Sequence, residues 1–391
     1  MDPVSVRRML ITAVAIVAAA CGRRTPVAPT APDADCVVLP GAGAPVPVTL
    51  GLVGAVDPAR APIAATEAER LLFGQLYEPL VRRDCAGRLL PALAARWHSP
   101  DGGRRWVLTL GPAARFWNGQ RVTAEDVVAA WGRSASPGAT VRATDDSTVS
   151  VTFSEVLAEP WPLADPAFSV AAAAADAGGW PLGTTPPGRV RHVRSDDGRD
   201  LVDGGVDLVI TRDPAVVSYA RGLGGYDEIA LPWDRVYVLL NGDAVLPEGP
   251  DGAQGFVAAV NTFAREPRGP FWWRALEACG YLSPRRWPAT PVLYAPDDLV
   301  ARDLAARVVA VSGVAGVRAA AGSSGGAPIR AVPRTPFRPC DLAREIGLTR
   351  ETPSVRPLIE TRAVLLVRRG TAAGVALDWD GMPRVTERGA R

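Results

Sequence analysis

The sequence has no lysine; all 43 of its basic residues are arginine. Set against 41 acidic residues, these leave a formal net charge of +2 over 391 residues. A chain so nearly neutral lacks the electrostatic footprint that grips nucleic acid, and no nucleic-acid partner is expected. Histidine is almost as scarce: His98 and His192 stand alone, and the five cysteines show no CxxC spacing. Those shortages exclude the common zinc and redox motifs, so no metal and no other cofactor is expected. GxSxG, HExxH and phosphate-loop patterns are missing as well. The acid pairs Asp145-Asp146, Asp196-Asp197 and Asp297-Asp298 sit in turn-like or helix-start contexts that account for them. With no catalytic constellation left, the chain is not expected to be an enzyme. Nor is there a long apolar run, since Met9 to Ala20 falls short of the roughly 20 residues a spanning helix needs.

What is present begins with that short run. Arg7 and Arg8 precede it and Ala18-Ala19-Ala20-Cys21 closes it, which is the grammar of an export signal over residues 1–20. Small residues directly before a cysteine resemble a bacterial lipobox, although Ala18 stands where leucine is usual. The resemblance implies lipidation of Cys21, and an ordinary secretory signal with an incidental cysteine is the alternative. Residues 22–35, rich in Pro, Ala and Thr, have no periodicity and are expected to form a disordered tether within the segment 21–47. Export to an oxidising compartment gives the other four cysteines, Cys36, Cys85, Cys279 and Cys340, a reason to pair. Three connectivities are possible. Proximity along the chain favours Cys36 with Cys85 and Cys279 with Cys340.

At 391 residues the chain exceeds one ordinary core, and two lobes are the natural expectation. Val48 to Val53 alternates like a strand and ends at the turn Asp57-Pro58. Ala68, Leu71, Leu72 and Leu76 recur at helical spacing between Ala64 and Tyr77, with Glu67, Glu69 and Arg70 between them. Pro79 ends that helix, and a short strand to Val81 is expected. Leu89 to Trp97, the turn Ser99-Pro100-Asp101-Gly102-Gly103 and Arg105 to Leu110 form a hairpin pattern. Thr123 with Asp126 makes a capping box for a helix whose buried face is Ala124, Val127, Val128 and Trp131. Strands are expected at Thr148–Phe153, Phe168–Ala172, Val206–Ile210 and Arg235–Asn241, and a helix over Asp213–Leu223. Of the eleven tryptophans, Trp97, Trp106 and Trp131 occupy patterned core positions.

The order of these pieces resembles the family 5 extracellular solute-binding proteins, which serve peptide, nickel and related importers. The resemblance is carried by Tyr77-Glu78-Pro79-Leu80-Val81, by Leu90-Pro91-Ala92-Leu93-Ala94-Ala95-Arg96-Trp97, and by Phe116-Trp117-Asn118-Gly119 running into Thr123-Ala124-Glu125-Asp126-Val127-Val128. Gly204-Gly205-Val206-Asp207 and Tyr237 to Asn241 extend it, and it fades beyond residue 241. It implies an α/β, two-lobed periplasmic-binding-protein type II fold with mixed sheets and a hinge. The first lobe is then 48–241, the second 242–357, and 358–391 returns to the first. It also implies a substrate-binding lipoprotein that delivers a peptide or other small solute to ABC transporter permease subunits, at the cell envelope or in the periplasm.

Tyr77, Trp117, Asn118, Trp233, Tyr237 and Asn241 are the candidate ligand contacts, because aromatic surface and amide groups suit a solute cleft. The second lobe looks abbreviated. Between Gly322 and Gly347 no acidic residue in an aromatic setting matches the one that holds the ligand's amino group in peptide binders, so generic short peptides are expected to bind weakly. The shortened lobe also motivates a second reading, a non-transporting envelope scaffold or partner-binding lipoprotein. For the anchor the expected outcome is direct: Cys21→Ser moves the protein from the membrane fraction to the soluble fraction, and unchanged partitioning would remove the lipid anchor from consideration.

Overall fold

Two long antiparallel strands, β11 (Tyr226–Leu240) and β16 (Val355–Arg368), carry the chain across the molecule. The computed structural model describes residues 36–40, 47–133, 139–176, 179–184, 190–240, 273–275, 290–295, 298–313, 315–318, 326–333 and 355–386. Residues 1–35, where the export signal, Cys21 and the tether are expected, and Asn241, Cys279 and Cys340 lie outside the described residues. So does most of the span between Gly322 and Gly347.

At one end β11 pairs through Tyr226–Ala230 with Arg368–Val364, and the same stretch of β16 pairs with β10 (Leu208–Thr211). At the other end Arg235–Leu239 pairs with Pro333–Ile329 of β15 (Ala327–Pro333). The sheet therefore runs β14-β13-β15-β11-β16-β10-β2-β9. In it β2 is Val48–Val53, β9 Val190–Ser195, β13 Val292–Tyr294 and β14 Gly316–Arg318, while β12 (Trp273–Ala275) pairs with β16 off this path. The β11/β16 register slips between Ala230 and Trp233, again before Arg235, and once more between Tyr237 and Val238. Pro232 lies in the slip, where it has no amide to give the ladder. The Arg362 guanidinium lies 4.6 Å from the centroid of the Trp233 ring and covers the break.

The first-lobe half of the sheet is covered on both faces. Residues alternate along a strand, so Leu208 and Ile210 face one core and Val209 faces the other. β16 repeats the division, with Ala363, Leu365 and Val367 on the first side and Val364 and Leu366 on the second. The first side is closed by α1 (Glu67–Leu76) and by a small sheet of β1 (Val37–Leu39), β17 (Gly374–Leu377) and β18 (Pro383–Thr386). The second is closed by α3 (Gly198–Asp203) and α4 (Pro214–Leu223). α4 ends at Gly224 with φ of +71°, a left-handed turn that glycine enters without strain.

α1 starts at a capping box. The Glu69 amide donates to Thr66 Oγ1 at 3.1 Å, and the Thr66 amide donates to Glu69 Oε2 at 3.2 Å. Glu69, read from the sequence as part of the polar stripe, is completely buried, because its carboxylate also accepts from the amides of Asp57 and Ala65 and from Arg60. Gln75 ties the far end of α1 to β18, donating to the Pro383 carbonyl and accepting from the Val385 amide, 2.9 Å each.

The region from Val81 to Leu182 builds its own core on the four-stranded sheet β5-β6-β8-β7, which comprises Ala94–His98, Arg105–Leu110, Thr148–Phe153 and Ala139–Asp145 in that order. The expected hairpin is its first pair. α2 (Ala124–Arg133) packs there through Ala124, Val127, Ala130 and Trp131, with Val128 only half-buried. The Thr123 amide donates to Asp126 Oδ2 at 2.8 Å. Phe168–Ala172, expected as a strand, is a tight turn at Pro166–Phe168 followed by extended chain outside any ladder. Pro160, Pro162 and Pro166 break the pattern there. In the second lobe α5 (Leu299–Ser312) lies on β13 and β15, burying Val300, Leu304 and Val308 against Tyr237, Leu239 and Ile359.

Cys36 and Cys85 are joined by a disulfide 49 residues apart in sequence, which fastens the segment entering β1 to the turn after β3 (Val81–Arg83). Closing a loop of that length contributes about 4 kcal/mol through the unfolded chain. The Cys36→Ala, Cys85→Ala double variant should lose most of this in a denaturant titration. A loss below about 1 kcal/mol would show that the link contributes little.

Candidate functional site

Where the crossing strands leave the first lobe, the protein holds a cavity of about 560 Å³. The first lobe contributes Gly51 to Ala55 at the end of β2, Thr66 to Ala68 and Leu71 at the start of α1, and Ile210 to Asp213 at the end of β10 and just after it. Arg235 and Tyr237 reach it from β11, and Asp298, Leu299 and Val300 from the start of α5. Both lobes therefore face one space.

Its wall is a chain of charges. Arg212 is 11 % exposed; its Nε donates to both Glu67 oxygens at 2.9 and 3.2 Å, and its Nη1 and Nη2 donate to Asp234 at 3.1 and 2.5 Å. Arg235 Nη2 donates to Glu67 Oε2 at 3.0 Å. Burial works against the Arg212 charge, but Asp234 and Glu67 outweigh it and the guanidinium is held protonated. For Glu67 burial pushes the carboxyl up, yet Arg212 and Arg235 together hold it at about 2. Further along, the Tyr237 hydroxyl donates to both oxygens of Asp298 at 3.0 Å, and Asp298 Oδ1 accepts from the amides of Val300 and Ala301 at 3.0 Å. Burial first, and then the Asp298 charge, raise the Tyr237 phenol above its usual range, so it stays a donor. Among the described residues no group of three or more His, Cys, Asp or Glu is arranged to hold a metal ion.

Of the six residues singled out in the sequence, Tyr237 lines this cavity. Tyr77 is buried at the junction of two cores, where its hydroxyl donates to the Pro181 carbonyl at 3.0 Å and its ring lies 6.3 Å from that of Trp117. Trp117 is half-buried against the same two cores, and Asn118 is exposed at a turn, accepting from the Gln120 amide at 3.0 Å. Trp233 stacks with Arg362 at the register slip. Tyr77 and Trp117 are thus brought together, but neither they nor Asn118 or Trp233 are among the residues that line the cavity. Asn241 lies outside the described residues.

Glu67, Arg212, Arg235 and Asp298 were not anticipated as site residues. The available signal was charge inside apolar sequence: Arg212-Asp213 directly follows Leu208-Val209-Ile210-Thr211, and Asp234-Arg235 interrupts the run from Ile229 to Leu240. A charged pair at the end of a fully buried strand requires counter-charges, which here come from α1 and β11.

Two lobes joined by crossing strands around a shared cavity are the fold of the periplasmic binding proteins. Solved structures have the same fold. The binding protein MoaA from A. tumefaciens R10, in complex with mannopinic acid, aligns with a TM-score of 0.60 at 15 % identity over 83 % of this chain and 95 % of its own. The Escherichia coli murein tripeptide binding protein MppA aligns at 0.56 and 14 % identity over 90 % and 100 %. In sequence, residues 88–189 match the model of the bacterial extracellular solute-binding proteins, family 5 Middle. A curated relative, the probable deoxycholate-binding periplasmic protein YgiS of Escherichia coli (strain K12), is 36 % identical over 84 residues, 22 % of this chain. That stretch spans only 15 % of the relative's length.

The Glu67 pairing carries a pH signature. A carboxyl held at about 2 in the fold and near 4.3 in the unfolded chain stabilises the protein fully above the unfolded value. The contribution is lost as pH falls through the folded value. The stability difference between wild type and Glu67→Gln should therefore shrink between about pH 5 and pH 2. Parallel stability curves across that window would contradict the pairing.

Proposed function

We propose that the chain captures a small solute in the cavity between its lobes and presents it to the permease of an ABC-type importer. The observation that carries this reading is the cavity itself: about 560 Å³, faced by both lobes, and placed where two crossing strands lose register. That volume lies within the roughly 300 to 1,000 Å³ of ordinary ligand sites. A solute that touches both walls stabilises the closed arrangement through its differential contacts, which lets a permease tell loaded protein from empty. The likeness to family 5 over residues 88–189 supports the same role. Lipidation of Cys21 would keep the protein at the outer face of the membrane, near its permease. A cavity shared between the lobes favours solute capture over the scaffold reading, which needs no such space.

Natively purified protein should release a small molecule on denaturation that mass spectrometry can identify. Adding that molecule back to stripped protein should reduce the radius of gyration in solution scattering. Absence of any released solute, together with an unchanged scattering profile across a broad solute panel, would overturn the reading.

A further inference from the structure

The first lobe encloses a second, much smaller cavity, of about 20 Å³, which shares no lining residue with the space between the lobes. Three distant parts of the chain meet there. β3 brings Arg82 and Arg83, the β17–β18 hairpin of the returning chain brings Asp378, Asp380 and Arg384, and the extended chain after Pro166–Phe168 brings Ser169.

Both carboxylates are already engaged. Arg384 Nε donates to Asp378 Oδ2 at 3.0 Å, and Arg70 Nη2 donates to Asp380 Oδ2 at 2.6 Å. Arg83 is occupied too, its Nε donating to the Gly87 carbonyl at 3.0 Å and its guanidinium lying 5.8 Å from the centroid of the Trp379 ring. Arg82 differs. The residue is half-buried, yet its Nε is shut off from solvent and has no hydrogen-bond partner among the described residues. Burial, and then the Arg384 charge, hold the Arg82 guanidinium below its usual range despite Asp378 and Glu78. Arginine nevertheless keeps its proton at any ordinary pH, so the positive charge stays where it is.

A water molecule in the cavity satisfies the Nε donor but leaves that charge unbalanced. A guanidinium taken out of water calls for a negative partner. The space sets the partner's size: one water-sized particle needs about 10 to 15 Å³, so this cavity takes a single monatomic ion and is too small for a phosphate or a carboxylic acid. Ser169, 5 % exposed, brings a hydroxyl donor to the same space from the third segment.

We propose that the first lobe binds a monatomic monovalent anion of the chloride class between Arg82 and Arg384, and that this ion fastens the β17–β18 hairpin to β3. The site is separate from the solute cavity, and it stands or falls independently of solute capture. An ion that binds the folded chain and not the unfolded one raises stability with its concentration, which gives the site a direct readout.

The test is thermal unfolding of the full-length protein in sodium chloride and in sodium gluconate at equal ionic strength. Chloride should raise the Tm by at least about 2 °C, along a saturating curve. Arg82→Gln should abolish the difference, and in gluconate it should be at least as stable as wild type, because the unbalanced charge is gone. A chloride effect that is absent from wild type, or that Arg82→Gln retains in full, overturns the proposal. Should Arg82→Gln fail to fold, crystals of the wild-type protein grown in bromide decide the matter. An anomalous peak in contact with Arg82 Nε supports the site, and a cavity holding water alone overturns it.

Discussion

Arg212 holds three separate parts of the chain at one point. Its guanidinium joins the start of α1 through Glu67, the end of β10 through its own backbone, and the crossing strand β11 through Asp234. A partly buried ion network of this kind adds little net stability, because taking charges out of water is costly. Its effect is on uniqueness: each partner removed leaves a partly buried charge uncompensated, so alternative placements of α1 against β11 are disfavoured. The position of the cavity wall follows from that constraint, since Glu67, Arg212 and Arg235 are both the network and the lining.

The crossing strands supply the complementary property. β11 and β16 are regularly paired over Tyr226–Ala230 and slip beyond it, with Pro232 inside the first slip and a further shift between Tyr237 and Val238. Relative movement of the lobes costs least where ladder bonds are already missing, and the Arg362 stack on Trp233 covers that break. The charge network spans the slip, with Glu67 and Arg212 before it, Asp234 within it and Arg235 past it, and the Tyr237–Asp298 pair lies further along the strand.

Local chemistry was readable in the sequence. The spacing of Ala68, Leu71, Leu72 and Leu76 marked α1, Thr123 with Asp126 marked the start of α2, and the alternation of Val48 to Val53 marked β2. What escaped notice depends on distant partners. Glu69 looks like a surface acid until Arg60 and the amides of Asp57 and Ala65 fold around it. β9 carries Arg191, His192 and Arg194, all exposed, because an edge strand need not alternate. Asp298 was legible as a helix start, which it is. Its bond to Tyr237, 61 residues earlier, is visible only in the fold. Two aromatic residues expected as ligand contacts serve packing instead: Tyr77 belongs to the core beneath α1, and Trp117 packs against that core and the one on β5-β6-β8-β7.

The Cys36–Cys85 disulfide also has a mechanical meaning. β1 meets β17 through only two residue pairs, Val37 with Ala376 and Leu39 with Val375, a ladder that tension along the chain would unzip with little resistance. Cys36 lies immediately upstream of that ladder and is covalently joined to the body of the first lobe. Any pull arriving through the preceding segment is therefore taken up by a sulfur–sulfur bond before it reaches the hydrogen bonds. The strand behind it, and the core on which α1 rests, stay unloaded.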